Sequence, residues 1–422
     1  MKNDMIYYIS YQNIIPNMET FKRKIISLTV FIFVSFVIAS LLLIFLFLNS
    51  SKIPYIERDP VKHIFKFTES QEFTWATFDN YIKSELGFSL SNPSTPMTRS
   101  HDKYINLINT LPDDDLTFHT KEDVKITIDL GKNGRFMVNN GSKVTFLGYN
   151  TSAFIIKNGE GVWDGNLDNE NENWSNAGGI RQNSGIIYVK GCKVHINDSN
   201  AEGAVGMYLL GGDFSLMDNE DNSGCLYFNN NHASRTACGG LSMWDANFTI
   251  FSKNGLVEIK NCTSPHHCGG FVAFGGVVEL KGDNSYIHTI ECTAGHKNGK
   301  WLYAGGIQIG AWSLVPVLKF TGLNSALIAN NCVSGSGSGI YIGDAIFEIN
   351  TDNPVLKATN NLIVDYGTSN PAKDILPCAI AFYPTGKITV NDDKLVKVEA
   401  YGNTCRQVSD CDQVCGKDIY EF

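Results

Sequence analysis

Between Gly178 and Asn361 the chain returns repeatedly to the same two short elements. One is a glycine-led apolar start: GGI at Gly178, GAV at Gly203, GGL at Gly239, GGF at Gly269, GGI at Gly305 and a degraded GSGI at Gly337. The intervals are 25, 36, 30, 36 and 32 residues. The other element ends an apolar run with Asn or Cys. It occurs as LYFNNNHA (226–233), VEIKNCTS (257–264), IHTIECTA (287–294), LIANNCVS (327–334) and LKATNNLI (356–363). A period of this size is the mark of a repeat architecture.

One short amphipathic strand cannot bury its apolar face alone. Stacking similar units in parallel aligns the apolar positions into one continuous core, with rungs about 4.8 Å apart. Asparagine at a recurring turn tolerates the left-handed backbone and can ladder from rung to rung. Gly-Gly lets the chain turn tightly into the next strand. Unequal intervals then read as loops of varying length on a constant coil. From about Val124 the runs KITIDL, KVTFLG, AFIIKN, GIIYVKG and KVHIND alternate apolar and polar residues between turn residues. The expectation is an all-β fold, a right-handed parallel β-helix over 124–400. A β-sandwich would explain the strands but not the recurrence of the two elements.

The paired elements resemble the GGAI and FxxN repeats of chlamydial-type polymorphic outer-membrane proteins. The best instances are Gly239-Gly240-Leu241, Gly269-Gly270-Phe271 and Gly305-Gly306-Ile307, with YFNN at 227–230 and IKNC at 259–262. The resemblance implies a β-helix of the pectin-lyase-like kind and a role in surface adhesion. Where that family has a C-terminal outer-membrane barrel, this sequence has a cysteine-rich run, 401–422, read as a cap on the coil.

Upstream, Ile25–Leu48 is 24 residues without a charge. A helix of that length spans about 36 Å, enough to cross a bilayer with some tilt. It is long for a signal peptide, so an uncleaved signal anchor is expected, although Asn49-Ser50-Ser51 offers a place for cleavage. Lys22, Arg23 and Lys24 precede it, whereas Lys52, Arg58 and Lys62 beyond it are diluted by Glu57 and Asp59. That bias favours a cytosolic tail (1–24), a single-pass membrane protein and an exported bulk, extracellular or in the secretory lumen. Met18 is an alternative start. Residues 49–123 read as a stalk or helical cap, with one helix in ESQEFTWATFDNYIKSEL behind a Thr68/Gln71 capping box and another over Arg99–Leu111.

All 11 cysteines follow the apolar run: Cys192, Cys225, Cys238, Cys262, Cys268, Cys292, Cys332, Cys378, Cys405, Cys411 and Cys415. Such density fits an oxidising compartment and makes all of them disulfide candidates, with at least one left over. The cluster Cys378, Cys405, Cys411 and Cys415 suggests two disulfides pinning the end of the coil. In KNCTSPHHCGGF (260–271) the cysteines read as part of an outer loop between rungs. N-glycosylation sequons begin at Asn49, Asn140, Asn150, Asn173, Asn197, Asn247 and Asn261, although a chain rich in Asn, Ser and Thr produces such triplets by chance.

The net charge is −9 and no basic stripe stands out, so nucleic acid is not an expected partner. GEGVWDGN (159–166) followed by Trp174 resembles an early coil of polygalacturonase-like enzymes. Asp164, Asp168 and His296 would then be the acid/base candidates. The paired carboxylate motifs of that class are missing. DNEDN (218–222) and DGNLDNENEN (164–173) are acidic loops without the pattern of an EF-hand. No paired CxxC marks a zinc site. No catalytic set, cofactor or metal is therefore assigned. The reading is a tethered surface protein that adheres to a protein or glycan, with a membrane-anchored polysaccharide-active enzyme as the alternative.

Overall fold

The computed structural model describes residues 62–86, 106–108, 115–131, 136–138, 143–161, 178–201, 203–234, 238–265, 267–295, 304–310, 314–334, 338–363, 379–382, 390–391, 396–405 and 414–415. They belong to one compact unit, Pro60–Phe422. The apolar run 25–48 and both of its flanks lie outside them. Among the described residues no helix is long and apolar enough to cross a membrane.

The chain winds through three ten-stranded parallel sheets and a short eight-stranded one. Side 1 runs from Lys62–Phe67 to Val390–Asn391, side 2 from Gln71–Thr74 to Lys397–Tyr401, and side 3 from Asn106–Ile108 to Val414–Cys415. The short side, Glu160–Gly161 to Thr404–Cys405, links sides 2 and 3. Each circuit is one rung, and each strand bonds to its counterpart one rung away. The result is a parallel β-solenoid of ten rungs.

The Asn/Cys elements stack in register. Leu226, Val257, Ile287, Leu327 and Leu356 are successive partners on side 2. The turn that follows holds a left-handed residue on rung after rung: Asn158, Asp198, Asn230, Asn261, Glu291, Asn331 and Asn360 have φ between 50° and 57°. Their side chains ladder. Asn261 Nδ2 donates to Asn230 Oδ1 at 2.8 Å, and Asn230 Nδ2 donates to Asp198 Oδ1 at 3.0 Å. A second ladder joins Asn324, Asn284 and Asn254.

The glycine elements work by close approach. A Cβ on Gly240 would lie 2.4 Å from Ile259 Cγ2, and one on Gly270 would lie 2.3 Å from the Gly306 carbonyl oxygen. The chain entering side 3 is pressed onto side 2 and onto the next rung, where no side chain fits. On the fourth rung the register glycine is Gly206, whose amide donates to Gly239 O, and not Gly203.

Three upstream expectations are corrected. Parallel stacking begins at Lys62–Phe67, paired with Asp115–Thr120, so it extends upstream of 124. The first expected helix is shorter: Gln71–Thr74 is a strand, and α1 spans Trp75–Leu86. Its N-cap is Thr74, whose Oγ1 accepts the Thr77 amide, not Thr68. Within the expected helix Arg99–Leu111, Asn106–Ile108 is a strand paired with Phe136–Val138. So short an apolar run matches a strand as well as a helix.

Candidate functional site

The inward residues of all sides form one continuous core. Side 3 is different, because its outward residues are buried too. Arg181, Tyr208, Ser242, Val272, Gln308, Tyr341 and Ala381 are stacked partners on seven successive rungs. All but Arg181 are at most 5% exposed. Outside the coil, Cys238, Cys268, Val272, Phe274, Ala304, Tyr341 and Ala381 make a second apolar cluster, with Trp244 against it. Trp244 and Phe274 pack at 5.4 Å, and His267 meets Phe274 edge-on at 5.9 Å.

Two polar side chains are stranded in this layer. Ser242 and Gln308 are fully buried, yet Ser242 Oγ and both amide atoms of Gln308 have no hydrogen-bond partner. Leaving such a group unpaired costs about 1–3 kcal/mol. In a native fold it points to a water or a ligand group that completes it. Tyr208 lies on the same column, with its hydroxyl pushed up to about 12 by burial, an effect Arg181 partly offsets. It stays a protonated donor at neutral pH. The arrangement offers an amide, hydroxyls and aromatic faces to a neutral polar guest.

The outer column of side 2 carries the other concentration of titratable groups: His195, Tyr227, Glu258 and His288 on successive rungs. His195 stacks on Tyr227 at 4.7 Å with 12° between the rings. Burial, reinforced by Lys193 and Lys125, lowers the His195 pKa to about 4. Burial also lowers His288. Both imidazoles are therefore neutral at pH 7. These groups lie one rung apart along a line and do not converge on one point.

The cysteines stand elsewhere than expected. The seven whose side chains are described, Cys192, Cys225, Cys238, Cys262, Cys268, Cys292 and Cys332, are buried free thiols and not parts of exposed outer loops. In KNCTSPHHCGGF, Cys262 faces the core and Cys268 lies in the outer layer of side 3. His266 lies outside the described residues. In the tail, Cys405 pairs through its backbone with Ile363 and Cys415 with Ala381, so both continue the solenoid. Cys378 and Cys411 lie outside the described residues.

The sequons divide in the same way. Asn150, Asn247 and Asn261 are exposed and Asn197 is half-buried. Asn197, Asn247 and Asn261 are laddered to Asn229, Asp213 and Asn230, whereas Asn150 binds Ser223 and Asn222. Asn140 and Asn173 fall outside the described residues, as do Asp164, Asp168 and His296. The DNEDN loop is a tight antiparallel turn, with Asn219 and Asn222 bonded to each other and Asp218 Oδ2 accepting the Lys253 amide. Among the described residues no group of three or more His, Cys, Asp or Glu is placed to hold a metal ion.

The buried outer face of side 3 was not expected from sequence. Its only signal is a polar Gln308 within an otherwise apolar AGGIQI. Compared with family models, curated proteins and solved structures, the chain finds no match.

Proposed function

We propose that this chain is a membrane-tethered surface protein whose exported solenoid binds a glycan by taking a sugar residue into the buried outer layer of side 3. In this reading residues 25–48 are the anchor, residues 1–24 face the cytosol, and the coil is right-handed, of the kind that the polymorphic outer-membrane protein repeats build. The handedness agrees with the strong right-handed preference of parallel crossovers. The observation that carries the adhesive role is the pair of stranded polar groups, Ser242 and Gln308, in a layer rich in tyrosine and tryptophan. A sugar presents hydroxyls to such an amide and an apolar ring face to such aromatics.

The test is glycan binding by the full chain in detergent, comparing wild type with Gln308→Leu. Leucine nearly conserves volume and removes both unpaired amide atoms. The expected result is loss of binding with stability unchanged or raised. Equal binding by the two proteins refutes the site. Protease protection in intact cells checks the topology separately: the bulk downstream of residue 60 is expected to be degraded from outside, and full protection refutes export.

A further inference from the structure

Five of the seven cysteines whose side chains are described stand in two vertical stacks. Cys238 and Cys268 are direct backbone partners on adjacent rungs, and the partner beyond Cys268 is Ala304. The two thiols interact directly. Each also donates to backbone oxygens, Cys238 Sγ to Gly270 O at 2.9 Å and Cys268 Sγ to Gly306 O at 3.1 Å. The other stack is Cys262, Cys292 and Cys332, one rung apart, each immediately before a bridged residue of the short side. Cys292 interacts with both neighbours.

Stacked rungs hold equivalent Cα atoms about 4.8 Å apart. Disulfides span Cα separations of about 4.4–6.8 Å. The rung spacing therefore meets the Cα requirement, and a rotation about χ1 at each residue turns the sulfurs of adjacent rungs toward each other. Cys192 and Cys225 provide an internal contrast. They too belong to adjacent rungs, but Cys192 lies in the core, whereas Cys225 alternates with the inward Leu226 on the outer face. They cannot meet.

We infer that the stacks close as vertical disulfides, Cys238–Cys268 in one and Cys292 with a single neighbour in the other, leaving one thiol. In each step two thiols exchange with a low-molecular-weight disulfide such as oxidised glutathione. One protein S–S bond forms, the glutathione S–S bond breaks, and two molecules of reduced glutathione leave. Attack requires a thiolate. Burial raises Cys238, Cys292 and Cys332 well above the ordinary thiol range. The exchange therefore takes place while the rungs assemble and not in the finished fold. The odd stack of three gives two exclusive pairings, through Cys262 or through Cys332.

This inference uses the export reading only for its occurrence in cells, so the two fail separately. The full chain is unfolded, reduced and refolded in oxidised and reduced glutathione, and cross-linked peptides are mapped after alkylation. A Cys238–Cys268 linkage is expected, together with both Cys292 linkages as alternatives and no Cys192–Cys225 linkage. The folded, reduced protein should gain none of them over the same period. Cys268→Ala should abolish the Cys238 linkage without a substitute, because Ala204 is in register one rung before Cys238, and Cys238→Ala serves as the reciprocal variant, because Ala304 follows Cys268. Refolded protein with all five thiols free, or with Cys238 linked elsewhere, overturns the inference. If the linkages form on refolding but protein taken from cells lacks them, the pairing stands and the export reading falls.

Discussion

The two ends of the solenoid are held by different physics. At the first rungs the core is aromatic. Phe118 stacks between Phe65 at 5.3 Å and Phe146 at 5.8 Å, and Phe78 of α1 packs on it at 5.8 Å. Tyr81 of the same helix packs on Phe67 at 5.6 Å, so the helix covers ring surface that the first rung would otherwise expose. Toward the other end the inward column of side 2 shrinks: Ile196, Phe228, Ile259, Thr289, Ala329, Ala358 and Ala400 are successive partners. At the last rung Val398 and Ala400 are only half-buried. Directional bonds replace bulk there. Asn361 Oδ1 accepts the Cys332 amide at 2.8 Å, and its Nδ2 donates to Ala329 O at 3.2 Å and Asn403 Oδ1 at 2.9 Å. A repeat fold can therefore exchange apolar volume for buried amide bonds rung by rung while its register stays constant.

The largest expected effect breaks the aromatic end. Phe118→Ala removes a ring that is 1% exposed and leaves a cavity among its neighbours, so a loss of about 3–5 kcal/mol is expected. Denaturant unfolding of the full chain measures it. Less than about 1 kcal/mol would mean that the helix-covered rungs do not limit stability.

Next, Asn361→Ala should cost about 2–3 kcal/mol, because it leaves the buried Cys332 amide and Ala329 carbonyl without that partner. Asn247→Ala, which removes an exposed ladder bond to Asp213 at ordinary strand φ, should cost under about 1 kcal/mol, since water replaces the lost bond. Equal costs would mean that the amide ladders act as surface features at both depths.

The smallest effect concerns pH. His195 has a folded pKa of about 4, below its ordinary 6.5, so the unfolded chain binds more protons between those values. Stability is thus lost as pH falls from about 6.5 to about 4, and the window closes below the folded pKa. His195→Gln should flatten the unfolding midpoint in that window and leave it unchanged above pH 7.5. An unchanged slope would remove His195 from the account.

The coil was legible because period-two patterning and the Asn/Cys endings both report rung register directly. The orientation of the cysteines was not. Simple alternation after Ile259 would place Cys262 outside. The left-handed residue Asn261 instead adds one outward position and resets the parity, which turns Cys262 inward. The same shift acts at Glu291 and Asn331, upstream of Cys292 and Cys332. The side-3 layer was illegible for another reason. An outward residue on a strand normally meets water, and nothing in a single strand reports that a second layer covers it.

The amide ladders also have a grammar. In the exposed pairs the later rung donates and the earlier accepts, from Asn261 to Asn230 and on to Asp198, and likewise from Asn158 to Asp129. A carboxyl group has no amide proton to pass on, so a relay that reaches an aspartate stops there. Polarisation along the ladder accumulates over two or three rungs and then starts afresh. The solenoid is continuous as a coil but punctuated as an electrical object, and a lesion in one run has no wire by which to reach the next.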